Sequence, residues 1–435
     1  MTELEKRVSE IEARLASTPA NDRATIAELS SRLGSVLESV GQRERALELL
    51  EESLQIYREL GNTNATMHTQ NRIGAVLIAM RHLDRARTML EHVLATSRTH
   101  GDRSAEASSL NNLAMIDEMY GNLESARQRY EKAILLLRSL GKSQEIATTL
   151  NNLGVTYGKL MRDDDARESW REALALHKEC GNEAGVASSL NNIGLFLARR
   201  GYAKDALDKC EAAVSIQHRM GDKGELATML GNLGYVYTEL DRSAEAHQLL
   251  EQSLALKMEI GDRYGAAVTL HELGDVLRDI GFGAAAYEHY SRAVDAFAGL
   301  GKLADVAGAE MARAFATTNR ELAISHAEHA VEIRVTLGKN GELGAALDNL
   351  GLLYADAGEY EKALAVMERS LSITETTGGR DSLAIILSNL GGVCADAKLY
   401  ARAIDYYERA LSIVRKASER DEIISALDSL RANQA

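Results

Sequence analysis

The sequence predicts an all-α fold: a right-handed α-solenoid of about ten stacked helix–turn–helix repeats with terminal capping helices. Three observations predict it. Glycine recurs every 40 residues, Leu, Gly and Ala recur at fixed offsets in the same frame, and the apolar residues between them follow helical spacing. The 435 residues include one proline and only 5% aromatic residues, which argues against a β-sandwich or barrel.

The repeat frame divides the chain into ten units. These begin at residues 21, 61, 101, 141, 181, 221, 261, 301, 338 and 378, so the array covers residues 21–417. Residues 1–20 are expected to form an N-terminal capping helix, although their short heptad pattern could also pair with another chain. Residues 418–435 are expected to form the C-terminal cap, since end repeats need a polar outer face.

Each unit reads as two antiparallel helices of roughly 16 to 18 residues. In the third unit, Gly101 suits a left-handed stop and Asp102 suits the following N-cap. Thirteen residues into each unit the side chain is almost always absent or small, which lets the two helices cross closely. This column contains Gly34, Gly74, Ala114, Gly154, Gly194, Gly234, Gly274, Gly351 and Gly391.

The eighth unit departs from this pattern. It is 37 residues long, and the offsets place the three-residue deletion between Ala314 and Ala323, in the predicted turn between its helices. A shortened turn would alter the local packing angle. The unit is therefore either a hinge or a site of neutral drift, and the sequence favours neither.

The stretch from Leu150 to Tyr157, followed by Ala166 and Ala173, resembles the tetratricopeptide repeat. The 40-residue period is similar to the repeats of Pins/LGN adaptors and, at about 42 residues, to those of kinesin light chains. The resemblance implies a solenoid that holds extended peptides on the concave side of its first helices. The Gα-binding motifs of the former and the long heptad segment of the latter are not matched, so neither function is transferred.

Polar residues recur eleven positions into each unit, where the resemblance implies that the side chain faces the groove. Helix propensity does not explain six Asn in one column, because Asn is unfavourable in helix interiors, so these residues indicate a binding or packing role. A row of amides can pair with the backbone of an extended chain, one contact per repeat, or can bond to the neighbouring repeat and stiffen the stack. The predicted binding residues in this column are Arg32, Arg72, Asn112, Asn152, Asn192, Asn232, Glu272, Asn349 and Asn389.

A second column lies eighteen residues into each unit. It is basic at Lys159 and Arg199 and acidic from Glu239 onward. One interpretation is a row of solvated helix ends. The other is a polarised groove that orients a ligand with its acidic end toward repeats four and five and its basic end toward repeats six to ten.

Composition narrows the function classes. The net charge of −14 lacks the basic footprint of a nucleic-acid binder, and no apolar run is long enough to span a bilayer. No nucleophile, base or metal cluster stands out, and His326 and His329 read as a surface pair. The sequence predicts a cytoplasmic, non-enzymatic scaffold without cofactor that binds a protein or peptide. The alternative is a regulatory subunit that holds a folded protease or kinase, with repeat eight as the hinge.

Overall fold

The computed structural model describes residues 3–39, 41–338, 340–377 and 379–432. Every regular element in these ranges is an α-helix, and the residues form two compact units, Met1–Asp262 and Arg263–Ala435. We refer to these two parts of the structure as unit 1 and unit 2, and from here on we call the ten sequence units repeats one to ten. None of the helices in the described ranges has the length and hydropathy needed to cross a bilayer.

Unit 1 contains thirteen helices in its described residues. Helix α1 precedes six helix pairs, each of which consists of a first and a second helix. The bounds are α1 Glu3–Ser17, α2 Arg23–Ser39, α3 Arg43–Glu59, α4 Thr63–Ala79, α5 Leu83–His100, α6 Arg103–Met119, α7 Leu123–Ser139, α8 Ser143–Lys159, α9 Asp163–Glu179, α10 Glu183–Arg199, α11 Ala203–Met220, α12 Lys223–Thr238 and α13 Ser243–Glu259.

Unit 2 continues the alternation with four helix pairs and a last helix. The bounds are α14 Arg263–Asp279, α15 Gly283–Gly299, α16 Leu303–Ala316, α17 Arg320–Leu337, α18 Asn340–Asp356, α19 Tyr360–Thr377, α20 Arg380–Asp396, α21 Tyr400–Ile413 and α22 Ala417–Ala432. The all-α helix-pair architecture predicted from the sequence is confirmed.

At the start of the third repeat the chain reverses through the two predicted capping residues. Gly101 ends α5 with a left-handed φ of 69°, and Asp102 accepts a hydrogen bond from the Ala105 backbone N–H at 2.9 Å. A residue with a Cβ is strained at such a φ, which explains glycine at this place. The carboxylate satisfies one of the N–H groups that a helix start leaves unpaired.

The small column brings the two helices of each repeat into direct contact. A Cβ added at Gly154 would lie 2.6 Å from Nε1 of Trp170, and one added at Gly274 would lie 2.6 Å from the ring of Tyr290. The side chain sixteen positions later, which is Cys210 for Gly194 and a larger residue for the other glycines, therefore fills the space above each glycine of the column. The prediction that small residues permit the close crossing is confirmed.

Apolar faces stack from repeat to repeat to form the cores. Within each unit the second helix of a repeat packs on the next helix along the chain, as α7 does on α8, and successive first helices also touch, as α6 and α8 do. One cluster of buried side chains runs from Leu50 to Phe196 in unit 1, and another runs from Ala314 to Leu430 in unit 2. A pair of helices alone could not bury these faces.

Helix α1 packs along α2. Its Ile11 is buried, and Val8 and Leu15 pack against the cluster that contains Leu29 and Leu33. These are heptad positions of the N-terminal segment, and the fourth, Leu4, lies among side chains outside the described set. The packing agrees with the capping interpretation, which stays a prediction.

Within unit 1 the first repeat touches the sixth. A Cβ on Gly41, in the turn after α2, would lie 2.9 Å from Cβ of Ile260, and Arg43 lies 3.9 Å from the Asp262 carboxylate. The protein around Asp222 and Glu225 raises the pKa of both carboxyls by excluding water, while the Arg43 charge opposes both shifts. Arg43 thus faces a group of acids from the far end of its own unit.

The eighth repeat differs from the prediction in where it loses residues. Helix α16 has 14 residues, whereas the first helices of the neighbouring repeats have 17. Its connecting segment, Thr317 to Asn319, is as long as those in the neighbouring repeats seven and nine, and Thr317 ends the helix in an extended conformation. The deletion therefore removes the last turn of the first helix, not part of the connecting turn.

We predict that Gly154→Ala lowers stability by about 1–3 kcal/mol, because the added methyl overlaps Trp170 in a packed core. The movement would also break the bond from Nε1 of Trp170 to the Asn151 carbonyl, which is 3.0 Å long. Urea unfolding followed by circular dichroism measures the effect. Gly299→Ala is the control, since no atom lies within 4 Å of its added Cβ. Equal midpoints for the two variants would contradict the packing argument.

Candidate functional site

The predicted Asn column forms hydrogen bonds between adjacent repeats. In every bonded case a side chain eleven positions into one repeat donates to the residue 41 positions earlier, on the preceding first helix. The bonds run from Arg72 to Ser31 Oγ (2.7 Å), from Asn112 to the Asn71 carbonyl (3.1 Å), from Asn152 to Asn111 Oδ1 (3.4 Å), from Asn232 to Asn191 Oδ1 (3.2 Å) and from Asn389 to Asp348 Oδ2 (2.8 Å). We call this series the inner ladder.

The inner ladder has the hydrogen bonds between repeats that the stack-stiffening interpretation predicts. Each bonded Asn uses one of its two N–H donors in the ladder, so a second N–H is left over. Ligand contact by the column stays a prediction, and it would now be made by amides whose orientation the ladder already fixes. Preorganised donors lose less conformational freedom on binding than mobile ones.

The ladder is interrupted between repeats four and five. Asn192 is half-buried and makes no hydrogen bond to described residues, and the Oδ1 atom of Asn151, 41 positions earlier, is buried without a partner. Asn349 is also half-buried and its side chain has no such bond; the accepting position of repeat eight is Met311, whose thioether is only a weak acceptor. These two Asn residues keep their full amide capacity for other partners.

The remaining predicted residues of this column are Arg32 and Glu272. Arg32 is exposed and 3.9 Å from Glu28, a surface contact of little energetic weight. Glu272 is half-buried on α14. The structure therefore places the predicted column on the first helices but does not gather it into one cluster.

The second predicted column is exposed. Lys159 is held by Glu118 of the preceding repeat at 2.6 Å, again 41 positions away. Arg199 and Glu239 are exposed, and their opposite charges act on the same Tyr235 hydroxyl, whose pKa burial raises further than Arg199 lowers it. Because Lys159 is already paired with Glu118, Arg199 is the better placed of the two cations to form an ion pair with an acidic group.

A cavity of about 560 Å³ opens along the first helices α4, α6 and α8. It brings together two of the predicted residues, Arg72 and Asn112. The other lining residues are His68, Asn71, Ala75, Ser104, Ala107, Ser108, Asn111, Leu137, Lys142, Gln144, Glu145, Thr148 and Thr149. We call it cavity A. Asn152, Asn192 and Asn232 lie outside it.

Cavity A is polar and carries more positive than negative groups. Lys142 donates to Ser104 Oγ at 2.8 Å and lies 3.1 Å from Glu145, and Arg72 of α4 is a second cation in the lining. The sequence reasoning missed Lys142 because it stands in the turn before α8, outside the helical columns. It also missed the hydroxyls of Ser108 and Thr148, which recur seven positions into successive repeats and were a usable signal.

A second cavity of about 390 Å³ lies along α18 and α20 in unit 2. It contains the predicted Asn349 and is lined otherwise by Gly341, Ala345, Asp348, Thr374, Thr377, Gly379, Ser382, Ile385 and Ile386. We call it cavity B. Burial raises the pKa of Asp348 to about 6, and the hydrogen bond from Asn389 only partly offsets this shift.

The eighth repeat buries a charged cluster instead of an Asn. Glu310 on α16 is buried, and its carboxylate oxygens lie 2.7 Å from a guanidinium nitrogen of Arg313 and 3.1 and 3.0 Å from Nδ1 of His326 and His329. Burial and the Arg313 charge lower the pKa of His326. The prediction that both histidines lie on the surface is therefore wrong for His326, which is largely buried, whereas His329 is exposed. Among the described residues no group has the arrangement of a metal site.

We predict that Asp348→Asn stabilises the protein at pH 8 and changes little at pH 4. The Asp348 carboxyl has a pKa of about 6 in the folded protein and of about 3.9 in the unfolded chain. The folded protein therefore loses stability as pH rises between these two values. At pH 8 the variant should therefore gain about 2–3 kcal/mol over the wild type. Urea unfolding at the two pH values, both away from the isoelectric point of 5.4, measures the difference.

Asp356→Asn serves as the control, because Asp356 is exposed at the end of the same helix. Its effect on the unfolding midpoint should be small and the same at both pH values. A gain for Asp348→Asn that does not grow between pH 4 and pH 8 would contradict the buried, uncompensated carboxylate.

Solved structures with this architecture have low sequence identity to the chain. A Rap protein complexed with Competence and Sporulation Factor is 14% identical with a TM-score of 0.58, and the match covers 80% of this chain and 98% of that one. The apo quorum sensor NprR from B. thuringiensis is 15% identical with a TM-score of 0.56, covering 78% and 99%.

A Rap conjugation gene regulator of plasmid pLS20, in complex with the Phr* peptide, is 17% identical with a TM-score of 0.52, covering 60% of this chain and 71% of that one. At these identities the likenesses show the fold alone. No curated protein matches the sequence.

The family model of the tetratricopeptide repeat matches most of the chain. Its matches cover residues 25–99, 66–139, 105–179, 185–259, 305–376 and 342–416. They span both units and agree with the helix pairs described above. The chain belongs to the tetratricopeptide repeat family and has the interaction-scaffold architecture of that family.

Proposed function

We propose that the protein binds an extended peptide, or a disordered segment of a partner protein, along the inner faces of its first helices. The observation that carries the proposal is cavity A, where donors from three successive first helices and the turn before α8 converge on one polar space. An extended chain needs donors and acceptors at regular intervals, and the repeats supply them at one repeat per layer.

The charges of cavity A favour an acidic residue in the bound segment. Arg72 and Lys142 line it together with His68, against the single carboxylate of Glu145. A carboxylate entering this space would exchange hydration for charge-assisted hydrogen bonds. We therefore place the acidic side chain of the ligand in repeats two to four, which adds to the region around repeats four and five suggested by the sequence.

Asn192 extends the proposed path beyond cavity A. Its amide makes no bond to described residues, and the interrupted ladder beside it leaves the Asn151 oxygen unpaired. A peptide backbone supplies both an N–H and a C=O at each residue, which suits these groups. The Rap regulator with the bound Phr* peptide provides a precedent within the same fold.

Substitution of both cations in cavity A tests the proposal. A random 16-residue peptide display library is selected on the immobilised full chain, and enriched peptides are titrated by fluorescence anisotropy. We expect acidic peptides to be enriched and to bind Arg72→Ala/Lys142→Ala at least tenfold more weakly, because two charge-assisted contacts are lost.

The matched control is Arg171→Ala/Lys178→Ala. It removes the same two charges from exposed positions on the second helix α9 and should leave the affinity unchanged. Equal losses in the two variants would reduce the effect to general electrostatics. Enrichment of no peptide would contradict the proposal and would favour the alternative partner, a folded effector enzyme that docks elsewhere.

A further inference from the structure

Asp348 is an exception in the ladder. It stands ten positions into its repeat, in the column that accepts the ladder bonds. Across the ten repeats the other members are Ser31, Asn71, Asn111, Asn151, Asn191, Gly231, His271, Met311 and Ser388. A single carboxylate therefore replaces the neutral residues or the histidine of this column, on helix α18.

The charge of Asp348 has no counter-charge in the described structure. The residue is 6% exposed, its Oδ2 atom accepts the Asn389 amide at 2.8 Å, and its Oδ1 atom is buried without a hydrogen-bond donor. A neutral amide donor compensates a buried carboxylate only in part, and an uncompensated charge of this kind is costly. Natural sequences keep such a group where it has a role that offsets the cost.

Asp348 lines cavity B, whose described walls contain no cationic side chain. Its lining includes the aliphatic side chains of Ala345 and of Ile385, which is 51% exposed. The lining also includes the hydroxyl-bearing residues Thr374 and Ser382. The lining of cavity B thus combines one carboxylate, hydroxyl acceptors and aliphatic side chains.

We propose that cavity B binds a primary ammonium group at the end of an aliphatic chain, namely the lysine side chain of a bound segment. The ammonium would donate to Asp348 and to the hydroxyls, and its methylene stem would cover Ile385. As a subsite for a partner segment this rests on the proposed function, whereas the affinity of cavity B for the amine itself does not.

The geometry favours ammonium over the other cations. A guanidinium binds best to two carboxylate oxygens at once, and one oxygen of Asp348 is already occupied by Asn389. Calcium and magnesium need several oxygen ligands with more than one carboxylate in most sites, and Asp348 is the only carboxylate in the described lining. Three N–H donors on a single nitrogen fit one carboxylate oxygen with hydroxyls around it.

Saturation-transfer NMR with small probes on the full chain tests the assignment. The probe is Nα-acetyl-lysine N-methylamide, compared with the norleucine derivative, which keeps the stem and lacks the amine. Alanine N-methylamide supplies an α-ammonium without a long stem. We expect the lysine derivative to bind the wild type and the other two to bind at least tenfold more weakly.

The discriminating variant is Asp348→Asn. It should fold, because Asn at this position recreates the Asn–Asn rung seen between Asn191 and Asn232, and circular dichroism checks this. We expect it to lose at least tenfold in affinity for the lysine derivative, while Asp356→Asn on the same helix binds as the wild type does.

Equal binding to the wild type and to Asp348→Asn would overturn the proposal, as would the absence of binding to either. Alanine N-methylamide binding as tightly as the lysine derivative would overturn the lysine assignment in favour of a chain N-terminus. None of these results depends on Arg72 or Lys142. A failure here is therefore distinguishable from a failure of peptide binding at cavity A.

Discussion

The hydrogen bond between a first-helix side chain and the residue 41 positions earlier is the constraint on which the inner face depends. It recurs in both units with different chemistry, as Arg to Ser, Asn to Asn and Asn to Asp. A spacing of 41 joins position eleven of one repeat to position ten of the repeat before it. Each bond fixes the rotation of one first helix relative to the previous one and so sets where every other inner side chain points.

Close packing within each repeat complements the ladder between repeats. The glycine column lets the second helix approach until a bulky residue such as Trp170 or Tyr290 covers the backbone. The second helices thereby bury their apolar faces in the core, and the first helices keep one polar face exposed. Both cavities lie along that face, and both contain side chains of the ladder columns. Both proposed binding sites therefore lie beside ladder side chains: the rungs at cavity A are formed, whereas Asp348 alters the ladder at cavity B.

The fold was predictable because a 40-residue period with helical spacing permits few architectures. Three features were not. Offsets on either side of the deletion, at Ala314 and Ala323, cannot distinguish a lost helical turn from a shortened connection, and the structure shows the former. The partner of each ladder Asn was hidden because the bond crosses the repeat boundary with a shift of one residue. Lys142 was missed since a turn residue belongs to no helical column, although it lines cavity A.

The most direct test of the account is a double-mutant cycle on one rung of the ladder. Asn191→Ala, Asn232→Ala and the double variant are unfolded in urea, and the free energies of unfolding are compared. A bond of 3.2 Å between half-buried and buried amides predicts a coupling energy of about 0.5–1.5 kcal/mol, so the double variant loses less than the sum of the single losses. Strictly additive losses would mean that the rung does not join the two repeats and would contradict the account.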